Sequence, residues 1–537
     1  METSQRYSRQ KVRIVKVFCL PLAVLLVGAL ILSAQTDLTG FWVLRVPVGS
    51  PTYFELKQSG ETITGSFAHT GRPISGTLKG GTLRLVATFT RQKETGQTVY
   101  EGVVEGGVIA LSVRSSGPRK PVKGTLERTT REVVFPSRLP LPELRDVPDN
   151  GLVRTPPMGW NSYHTRPIND ATIRAMADAM ASTGMSKVGY TYINLDAGWS
   201  GRRDEKGNIR GNVNFPDMKA LADYVHSKGL KIGIYSSPGS DACSGSYGYE
   251  EQDAKTYAAW EMDYLKYDWL CANRIYGVWV GREPFERRYK STKEEYQGVY
   301  QKMGEALFRT GRPIVFSICQ YGLGEVWKWG ANVGGNLWRT TDDINDSWES
   351  MEANGFSQLE IGQYAQPGHW NDPDMLEIGN GGMTADEYRT HMSLWSLLAA
   401  PLLASNDLRS ITEETKGILM NTEVIAIDQD PDAKPVRRIT QEGKTEVLVR
   451  PLRGNDEENS VAVGFFNRGD QPAEVGVRWD SLGLGTVTNN GLGQKSFKAR
   501  DLWKHQPVPV TGDRYTTTVS VHGVVLLKVS AVTRWPR

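Results

Sequence analysis

Between residues 154 and 430, short apolar segments alternate repeatedly with helical windows. Apolar segments of strand length that alternate with amphipathic windows predict βα units and a parallel sheet. Eight such units in about 270 residues have the size and rhythm of a (β/α)₈ barrel, or TIM barrel. The eight predicted strands are residues 158–162, 192–196, 231–236, 264–268, 313–319, 337–341, 369–375 and 401–407.

A doubly wound open sheet is the alternative fold. Such a sheet usually opens with a Gly-rich phosphate turn after its first strand. The first predicted strand here instead reads Met-Gly-Trp-Asn at residues 158–161. The barrel is therefore favoured, and it would bring the carboxyl ends of its strands together at one mouth, where the active sites of such barrels lie.

The regions on either side of the barrel lack helical periodicity. Residues 36–135 read as short strands between Gly turns and predict an antiparallel sandwich or barrel, whereas residues 431–537 predict an antiparallel β-sandwich. Repeated prolines make residues 136–153 a stiff linker. The predicted fold is α/β: a (β/α)₈ TIM barrel with an N-terminal all-β module and a C-terminal antiparallel β-sandwich. The N-terminal module is interpreted as a packing or spacer element, with carbohydrate or surface binding as the alternative.

The first 35 residues predict export. Several Lys and Arg residues precede an unbroken apolar run at 17–32, which is followed by Ser33 and Ala34. This order is typical of a signal peptide, and the run is short for a span of about 20 residues. We expect a periplasmic or extracellular protein with no membrane contact, unless the segment stays uncleaved as an N-terminal anchor.

Composition excludes several classes of function. Lys and Arg number 63 against 60 Asp and Glu, a balance that argues against a nucleic-acid-binding face. The chain has only 7 His and 4 Cys, which argues against a zinc ribbon or a disulfide scaffold. With 15 Trp and 21 Tyr, it suits a protein that stacks aromatic rings on sugar faces.

Acidic residues recur at or just past the ends of the predicted strands, where they would converge on the barrel mouth. These residues are Asp196, Asp268, Asp343, Asp372, Asp374 and Asp407. Aromatic residues are predicted to rim the same mouth, namely Trp160, Tyr163, Trp199, Tyr235, Trp338 and Trp370. Paired carboxylates with stacking aromatic rings favour glycoside hydrolysis, in which one carboxylate attacks or activates water and the other protonates the leaving oxygen.

Two other classes of function stay open at this point. A metal-dependent barrel hydrolase would use His369 with several of the Asp residues as ligands, and a non-catalytic sugar-binding protein would bind without turnover. The chain shows no Gly-x-Ser-x-Gly elbow, His-Glu-x-x-His motif or phosphate loop. The favoured interpretation requires no cofactor and no metal.

Six ordered motifs in the barrel region resemble glycoside hydrolase family 27, the family of α-galactosidases and α-N-acetylgalactosaminidases. The motifs are TPPMGWNSY at 155–163, YINLDAGW at 192–199, GLKIGIY at 229–235, DYLKYD at 263–268, WRTTDD at 338–343 and WNDPDML at 370–376. The resemblance covers residues 154–430 and extends more weakly through the C-terminal sandwich. It implies a retaining exo-glycosidase that removes terminal α-D-galactosyl residues from a carbohydrate substrate.

Matching positions within these motifs imply residue roles. Asp268 corresponds to the nucleophile of the double displacement, and Asp343 corresponds to the general acid/base. The resemblance implies substrate binding by Tyr163, Asp196, Tyr235, Lys266, Gln320, Arg339 and Asp374. Lys266 lies two residues from Asp268 on one strand, so its side chain points to the same side and can hold Asp268 ionised.

The sequence departs from the family pattern at positions that affect sugar choice. Ala197 follows Asp196 where the family usually has a second Asp, and Tyr163 and Gln320 stand where the family usually has Trp and Glu. The missing carboxylate removes an acceptor near the O4/O6 edge of the sugar. β-L-Arabinopyranosidase and α-N-acetylgalactosaminidase activities are therefore alternatives to α-galactosidase activity.

The resemblance also bears on the cysteines. Cys243 and Cys271 fall near the two members of a family disulfide that braces the loop after the nucleophile. The family partner of Cys319 corresponds to Gly335 here, so a free buried thiol is expected.

Overall fold

The structure is a computed structural model that describes residues 37–49, 51–91, 94–105, 108–116, 120–240, 244–276, 291–454, 458–484 and 495–533. The proposed signal segment, residues 1–35, lies outside these residues. Within the described residues no helix is both long and apolar enough to span a membrane.

The N-terminal module is a closed antiparallel β-barrel, which decides between the two forms that the sequence allowed. Each strand pairs with the next, and the first pairs with the last, so that the sheet has no free edge. Alternate side chains such as Trp42, Phe54 and Leu83 fill its interior. The strands are β1 (Gly40–Arg45), β2 (Thr52–Ser59), β3 (Thr62–Phe67), β4 (Pro73–Lys79), β5 (Thr82–Arg91), β6 (Glu94–Glu105), β7 (Val108–Ser115) and β8 (Val122–Thr129).

A short helix, α1 (Arg131–Val134), and the proline-rich linker lead from this module to the central domain. The linker is bonded to the central domain along its length. The Val147 N–H donates to the Asn332 carbonyl at 2.7 Å, and Asn150 and Asn336 exchange amide hydrogen bonds at 2.9 Å. The linker therefore behaves as part of the central domain.

The central domain is the predicted (β/α)₈ barrel, so the predicted fold class is confirmed. Its parallel strands neighbour one another in the order β15-β14-β13-β12-β11-β10-β9-β16. A parallel bridge between Leu376 and Ala404 closes the remaining gap, where the Leu376 N–H donates to the Leu403 carbonyl at 2.8 Å. The strands are β9 (Met158–Asn161), β10 (Tyr192–Asn194), β11 (Lys231–Ser236), β12 (Tyr264–Asp268), β13 (Val315–Cys319), β14 (Leu337–Arg339), β15 (Trp370–Asp372) and β16 (Leu402–Ala404).

Helices cover the outside of this barrel, and side-chain caps fix where several of them begin. Thr292 and Glu295 form a capping box at the start of α6, and Thr384 and Glu387 form one at the start of α8. The helices are α2 (Asp170–Ser182), α3 (Met218–Ser227), α4 (Glu250–Ala259), α5 (Asn273–Tyr276), α6 (Lys293–Arg309), α7 (Trp348–Phe356), α8 (Ala385–Leu398), α9 (Glu413–Leu419) and α10 (Thr422–Asp428).

The side chains of the barrel strands alternate between the helix layer and the barrel interior. Outward residues such as Leu265 and Tyr267 join the large core beneath the helices. Inward residues at the amino ends of the strands form a separate apolar layer that closes the bottom of the barrel: Tyr192, Tyr264, Val315, Leu337 and Trp370. Inward residues at the carboxyl ends, such as Lys266 and Asp268, are polar and face the mouth.

The C-terminal domain contains a six-stranded antiparallel sheet in the order β17-β18-β19-β24-β21-β22 and a two-stranded sheet, β20-β23. Val463 and Phe465 from the first sheet pack with Val475 and Val477 from the second, which gives a two-layered core. The strands are β17 (Arg437–Glu442), β18 (Thr445–Leu452), β19 (Glu458–Asn467), β20 (Ala473–Arg478), β21 (Lys495–Asp501), β22 (Gln506–Val508), β23 (Arg514–Val519) and β24 (Val524–Thr533).

Candidate active site

Four barrel strands bring the two predicted catalytic carboxylates and their neighbours together at the mouth. Lys266 and Asp268 lie at the end of β12, and Arg339 ends β14 four residues before Asp343. Asp196 follows β10, and Asp374 follows β15. Neighbouring positions in the sheet register include Tyr235 beside Lys266, Asp268 beside Cys319 and Arg339 beside Asp372.

Asp268 is buried, with only 6% of its surface exposed. Its Oδ1 accepts hydrogen bonds from the Tyr321 hydroxyl at 2.7 Å and from the Leu270 N–H at 2.8 Å. Burial raises the pKa of Asp268, the Lys266 ammonium opposes that rise, and the Asp343 carboxylate adds to it. A buried carboxylate held by donors suits a nucleophile, which must be ionised to attack.

Lys266 is paired with Asp196. Its Nζ lies 2.8 Å from Asp196 Oδ2, while Asp196 also accepts from the Ala197 N–H at 2.8 Å and from the Asn161 amide at 3.2 Å. Burial raises the pKa of Asp196, but Lys266 and these donors outweigh burial and hold it below its usual value. Burial disfavours the Lys266 ammonium, yet its acidic neighbours keep the pKa of Lys266 well above its usual value. The pair thus offers a charged donor and a charged acceptor to sugar hydroxyls.

Arg339 joins the second half of the site. Its guanidinium is 2.8 Å from Asp374 Oδ2 and 3.3 Å from Asp343 Oδ1. Asp374 is held in turn by the N–H groups of Ile344 at 2.9 Å and Met375 at 2.8 Å. Arg339 and Asp374 are buried, whereas the Asp343 side chain is 41% exposed. Asp343 can therefore reach a leaving group and exchange protons with water, as a general acid/base must.

The aromatic wall is smaller than the sequence suggested. Tyr163 is 42% exposed and lies near Asp343 and Asp196, whose charges add to the effect of burial in raising the pKa of Tyr163. Tyr235 is buried beside Asp268, and the centre of its ring lies 5.7 Å from Lys266 Nζ. Tyr163 is thus placed to stack on a ligand at the entrance.

The prediction that four Trp residues rim the mouth is wrong. Trp160, Trp199 and Trp338 are buried in the core beneath the helices. Trp160 and Trp338 lie on barrel strands at positions that face away from the barrel interior. Trp370 does face inward, but it lies in the apolar layer at the opposite end. Their indole N–H groups are satisfied within the protein: Trp160 donates to the Asn406 carbonyl, and Trp199 to the Tyr235 carbonyl.

Three other predicted residues make contacts within the protein. Asp407 caps the short helix Leu408–Ser410 and pairs with Arg409 at 2.6 Å. Gln320 is completely buried, and its amide donates to the Leu323 carbonyl. His369 precedes β15 at the bottom of the barrel, where its ring is 2.8 Å from the Gly335 carbonyl, so it cannot share a metal with the carboxylates at the mouth.

Of the cysteines, Cys319 is buried and free, as its missing partner predicted. Cys243 and the side chain of Cys271 lie outside the described residues, so their pairing stays a prediction.

Sequence reasoning missed two features of the mouth. Tyr321 bonds to Asp268, but its position depends on a left-handed backbone with φ of +63° that no local pattern signalled. His164 lies 2.9 Å from the buried Glu377 carboxylate, which raises the pKa of His164. Both residues adjoin positions to which the family resemblance assigned roles, Gln320 and Tyr163, and that adjacency was the only available signal.

A (β/α)₈ barrel with a buried carboxylate, a second accessible carboxylate and charged hydroxyl partners at its mouth defines a glycoside hydrolase. A family model described as α-galactosidase A matches residues 155–430, and one described as the α-galactosidase C-terminal β-sandwich domain matches residues 442–529. The chain belongs to the α-galactosidase family, glycoside hydrolase family 27.

Individual relatives agree with this assignment. The chain is 44% identical to an α-galactosidase of Cyamopsis tetragonoloba over 387 residues, which are 70% of this chain and 87% of that protein. It is 41% identical to α-galactosidase 2 of Arabidopsis thaliana over 412 residues, 74% of this chain and 96% of the relative. The fold also matches the crystal structure of α-galactosidase I from Mortierella vinacea with a TM-score of 0.63 and a sequence identity of 34%. This match covers 71% of this chain and 98% of the Mortierella chain.

Proposed function

We propose that this enzyme hydrolyses terminal α-D-galactosides by a retaining double displacement. The observation that carries the proposal is the pairing of a buried Asp268, held by donors, with an accessible Asp343 held by Arg339. The α-galactosidase relatives at 41–44% identity support galactose as the sugar.

In the first step, Asp268 attacks the anomeric carbon while Asp343, as the acid, gives its proton to the glycosidic oxygen. The C–O bond breaks, the alcohol leaves, and a glycosyl ester of Asp268 forms. In the second step, the Asp343 carboxylate takes a proton from a water molecule while the water oxygen attacks the anomeric carbon. Asp268 then leaves as a carboxylate, and Asp343 is protonated again.

The charged residues around the pair have separate tasks. Lys266 and Asp196 bind neighbouring hydroxyls of the sugar, and Asp374, which Arg339 orients, accepts from another. Tyr163 covers the apolar face of the sugar at the entrance. These contacts place the anomeric carbon between the two carboxyl groups, which lie roughly 5–5.5 Å apart in retaining enzymes.

The test is a panel of 4-nitrophenyl α-D-galactopyranoside, α-N-acetylgalactosaminide and β-L-arabinopyranoside. We expect the highest kcat/KM on the galactoside, unchanged activity after EDTA treatment, and an α-configured first product by NMR. A preference for either other glycoside would change the sugar, loss of activity with EDTA would favour a metal-dependent hydrolase, and a β-configured first product would contradict double displacement.

We also propose that the protein is exported and carries a Cys243–Cys271 disulfide. The basic and apolar order of residues 1–35 and the family position of the two cysteines support these proposals. Mass spectrometry of protein from the native host tests both: an intact Met1 would favour the anchor, and alkylation of both thiols without reduction would exclude the disulfide.

A further inference from the structure

Tyr321 has an unusual backbone conformation for a large side chain. It lies two residues past the end of β13 with φ of +63°, a left-handed conformation that residues with a side chain rarely adopt. The next residues keep the chain there: the Gly322 N–H donates to the Arg339 carbonyl at 3.0 Å, and the Leu323 N–H donates to the Gln320 carbonyl at 3.2 Å. A Cβ at Gly322 would lie 2.3 Å from the Thr340 carbonyl oxygen, so the close approach requires glycine. The turn thus brings Tyr321 back over the end of β14.

This conformation places Tyr321 between the two halves of the active site. Its hydroxyl donates to Asp268 Oδ1 at 2.7 Å, and the centre of its ring lies 5.7 Å from the Arg339 guanidinium carbon. Arg339 in turn contacts Asp343 and Asp374. Only 8% of Tyr321 is exposed, so its hydrogen bond to Asp268 is shielded from water.

We propose that Tyr321 is a positioning residue whose hydroxyl ties Oδ1 of Asp268 and thereby presents Oδ2 to the anomeric carbon. This inference rests on the proposed function, in which Asp268 is the nucleophile. The Leu270 N–H donates to the same oxygen at 2.8 Å, so the two hydrogen bonds together fix the orientation of the carboxylate group. Strain at a bulky residue is retained where the surrounding structure and the function require it.

The hydrogen bond also bears on the ionisation of Asp268. The titratable groups around this carboxylate are Lys266 on its own strand, Tyr235 on β11, Cys319 and Tyr321 at the end of β13, Tyr300 on α6 and Asp343 after β14. Burial raises the pKa of Asp268, while Lys266 and the Tyr321 hydroxyl lower it. Removal of the hydroxyl is therefore expected to raise this pKa further.

The test is Tyr321→Phe, which deletes one oxygen and leaves the ring in place. The acidic limb of kcat/KM reports the pKa of the essential base in the free enzyme. Because a hydrogen bond to a charged group is involved, we expect this limb to move up by about one to two pH units while the basic limb stays in place. The matched control is Tyr190→Phe, which removes a buried 2.7 Å hydrogen bond to the Leu419 carbonyl and should leave both limbs unchanged.

A second measurement uses the Asp268→Ala background, with azide as the external nucleophile and 4-nitrophenyl α-D-galactopyranoside as substrate. If Tyr321 acts through Asp268, Tyr321→Phe has no further effect on the azide-dependent rate. An unmoved acidic limb, or an equal loss of rate in both backgrounds, would overturn the inference. Absence of turnover by the wild-type enzyme on every glycoside of the panel would instead contradict the proposed function itself.

Discussion

Lys266 acts on two carboxylates, one by direct contact and one at a distance. From its position two residues before Asp268, it was expected to hold that carboxylate ionised, but its ammonium binds Asp196 at 2.8 Å. It still lowers the pKa of Asp268 through space. One buried cation therefore contacts Asp196 directly and acts on Asp268 at a distance, and Tyr321 supplies the direct contact to Asp268.

The roles of the two carboxylates can be separated with azide. Asp268→Ala is expected to lower kcat at least about 10⁴-fold because the covalent step is lost, and azide should take the place of Asp268 and give the β-glycosyl azide. Asp343→Ala is expected to lower kcat about 10²–10⁴-fold on natural substrates, and azide should attack the glycosyl ester and give the α-glycosyl azide. The measurement is the anomeric configuration of each azide product by NMR.

The isosteric variants Asp268→Asn and Asp343→Asn serve as controls for folding. If the azide products had the opposite configurations, the two roles would be reversed.

We predict that sugar choice can be changed at Ala197, where the family usually has a second Asp. It is exposed at the mouth, and its N–H holds Asp196, so a longer side chain has room without displacing that contact. Ala197→Asp would add an acceptor, worth about 0.5–1.5 kcal/mol and up to about 3 when charge-assisted. We expect the ratio of kcat/KM for the α-galactoside to that for the β-L-arabinopyranoside to rise about tenfold.

Ala197→Asn is the matched control, because it has the same size without the charge and should change the ratio less. An unchanged ratio in Ala197→Asp would contradict a role for this position in specificity, whatever happens to the absolute rates.

Side chains alternate along each barrel strand, so that inward residues at the carboxyl end face the mouth and outward residues pack beneath the helices. Lys266 and Asp268 share the inward face of β12, while Leu265 and Tyr267 pack beneath the helices. The same rule explains why Trp338 is a core residue although it directly precedes the active-site Arg339. Proximity to a strand end does not place a residue in the site unless its side chain also faces inward.

Helix α8 carries a buried histidine that should limit stability in acid. His391 is fully buried against Trp395, with ring centres 4.1 Å apart, and burial lowers the pKa of His391 to about 3. Below its ordinary pKa of 6.5, His391 binds a proton in the unfolded chain but not in the folded chain, so the folded state loses stability as the pH is lowered. Between pH 6.5 and pH 4 the free energy of unfolding falls by about 3 kcal/mol from this cause.

We therefore expect His391→Phe to lose less stability than the wild type on acidification. The measurement is the free energy of unfolding at pH 7 and pH 4 for both proteins. The exposed His505 provides the control, because His505→Phe should not reduce this pH dependence by the same mechanism. Parallel stability curves for the wild type and His391→Phe would contradict the assignment.

At the scale of the whole molecule, the C-terminal domain is bound to the barrel more intimately than a separate module would be. Arg450 of β18 is completely buried and donates to the carbonyls of Ser396 at 2.8 Å and Ile427 at 2.9 Å. Its loss would leave carbonyl groups of the barrel helices without these donors. The N-terminal barrel, in contrast, closes on itself around its own core.

This difference predicts opposite results for two truncations. A chain of residues 136–537 keeps the docked linker and should retain the kcat/KM of the full protein on 4-nitrophenyl α-D-galactopyranoside. A chain that ends at residue 430 lacks Arg450 and exposes the face of α8 that packs on the C-terminal sheet, so we expect it to aggregate. Loss of activity in the first chain, or a soluble active second chain, would contradict this division.

The fold class and the positions of the two proposed catalytic carboxylates could be predicted from the sequence, because strand periodicity and ordered motifs are local properties. Asp268 and Asp343 could be located because each follows from a motif at a strand end. The N-terminal barrel could be predicted only as sandwich or barrel, since its closure depends on the pairing of β1 with β8, far apart in the chain.

The pairing of the inward residues with each other could not be predicted before the strands were brought together in three dimensions. Lys266 pairs with Asp196 rather than with Asp268. Tyr321 contacts Asp268 because of a left-handed turn, which a hydrogen bond to the Arg339 carbonyl of the next strand stabilises. These pairings depend on distances between side chains from different strands and on burial, which makes an unpaired charge costly. No spacing along the chain encodes them, which is why the sequence located the carboxylates but not the contacts that control them.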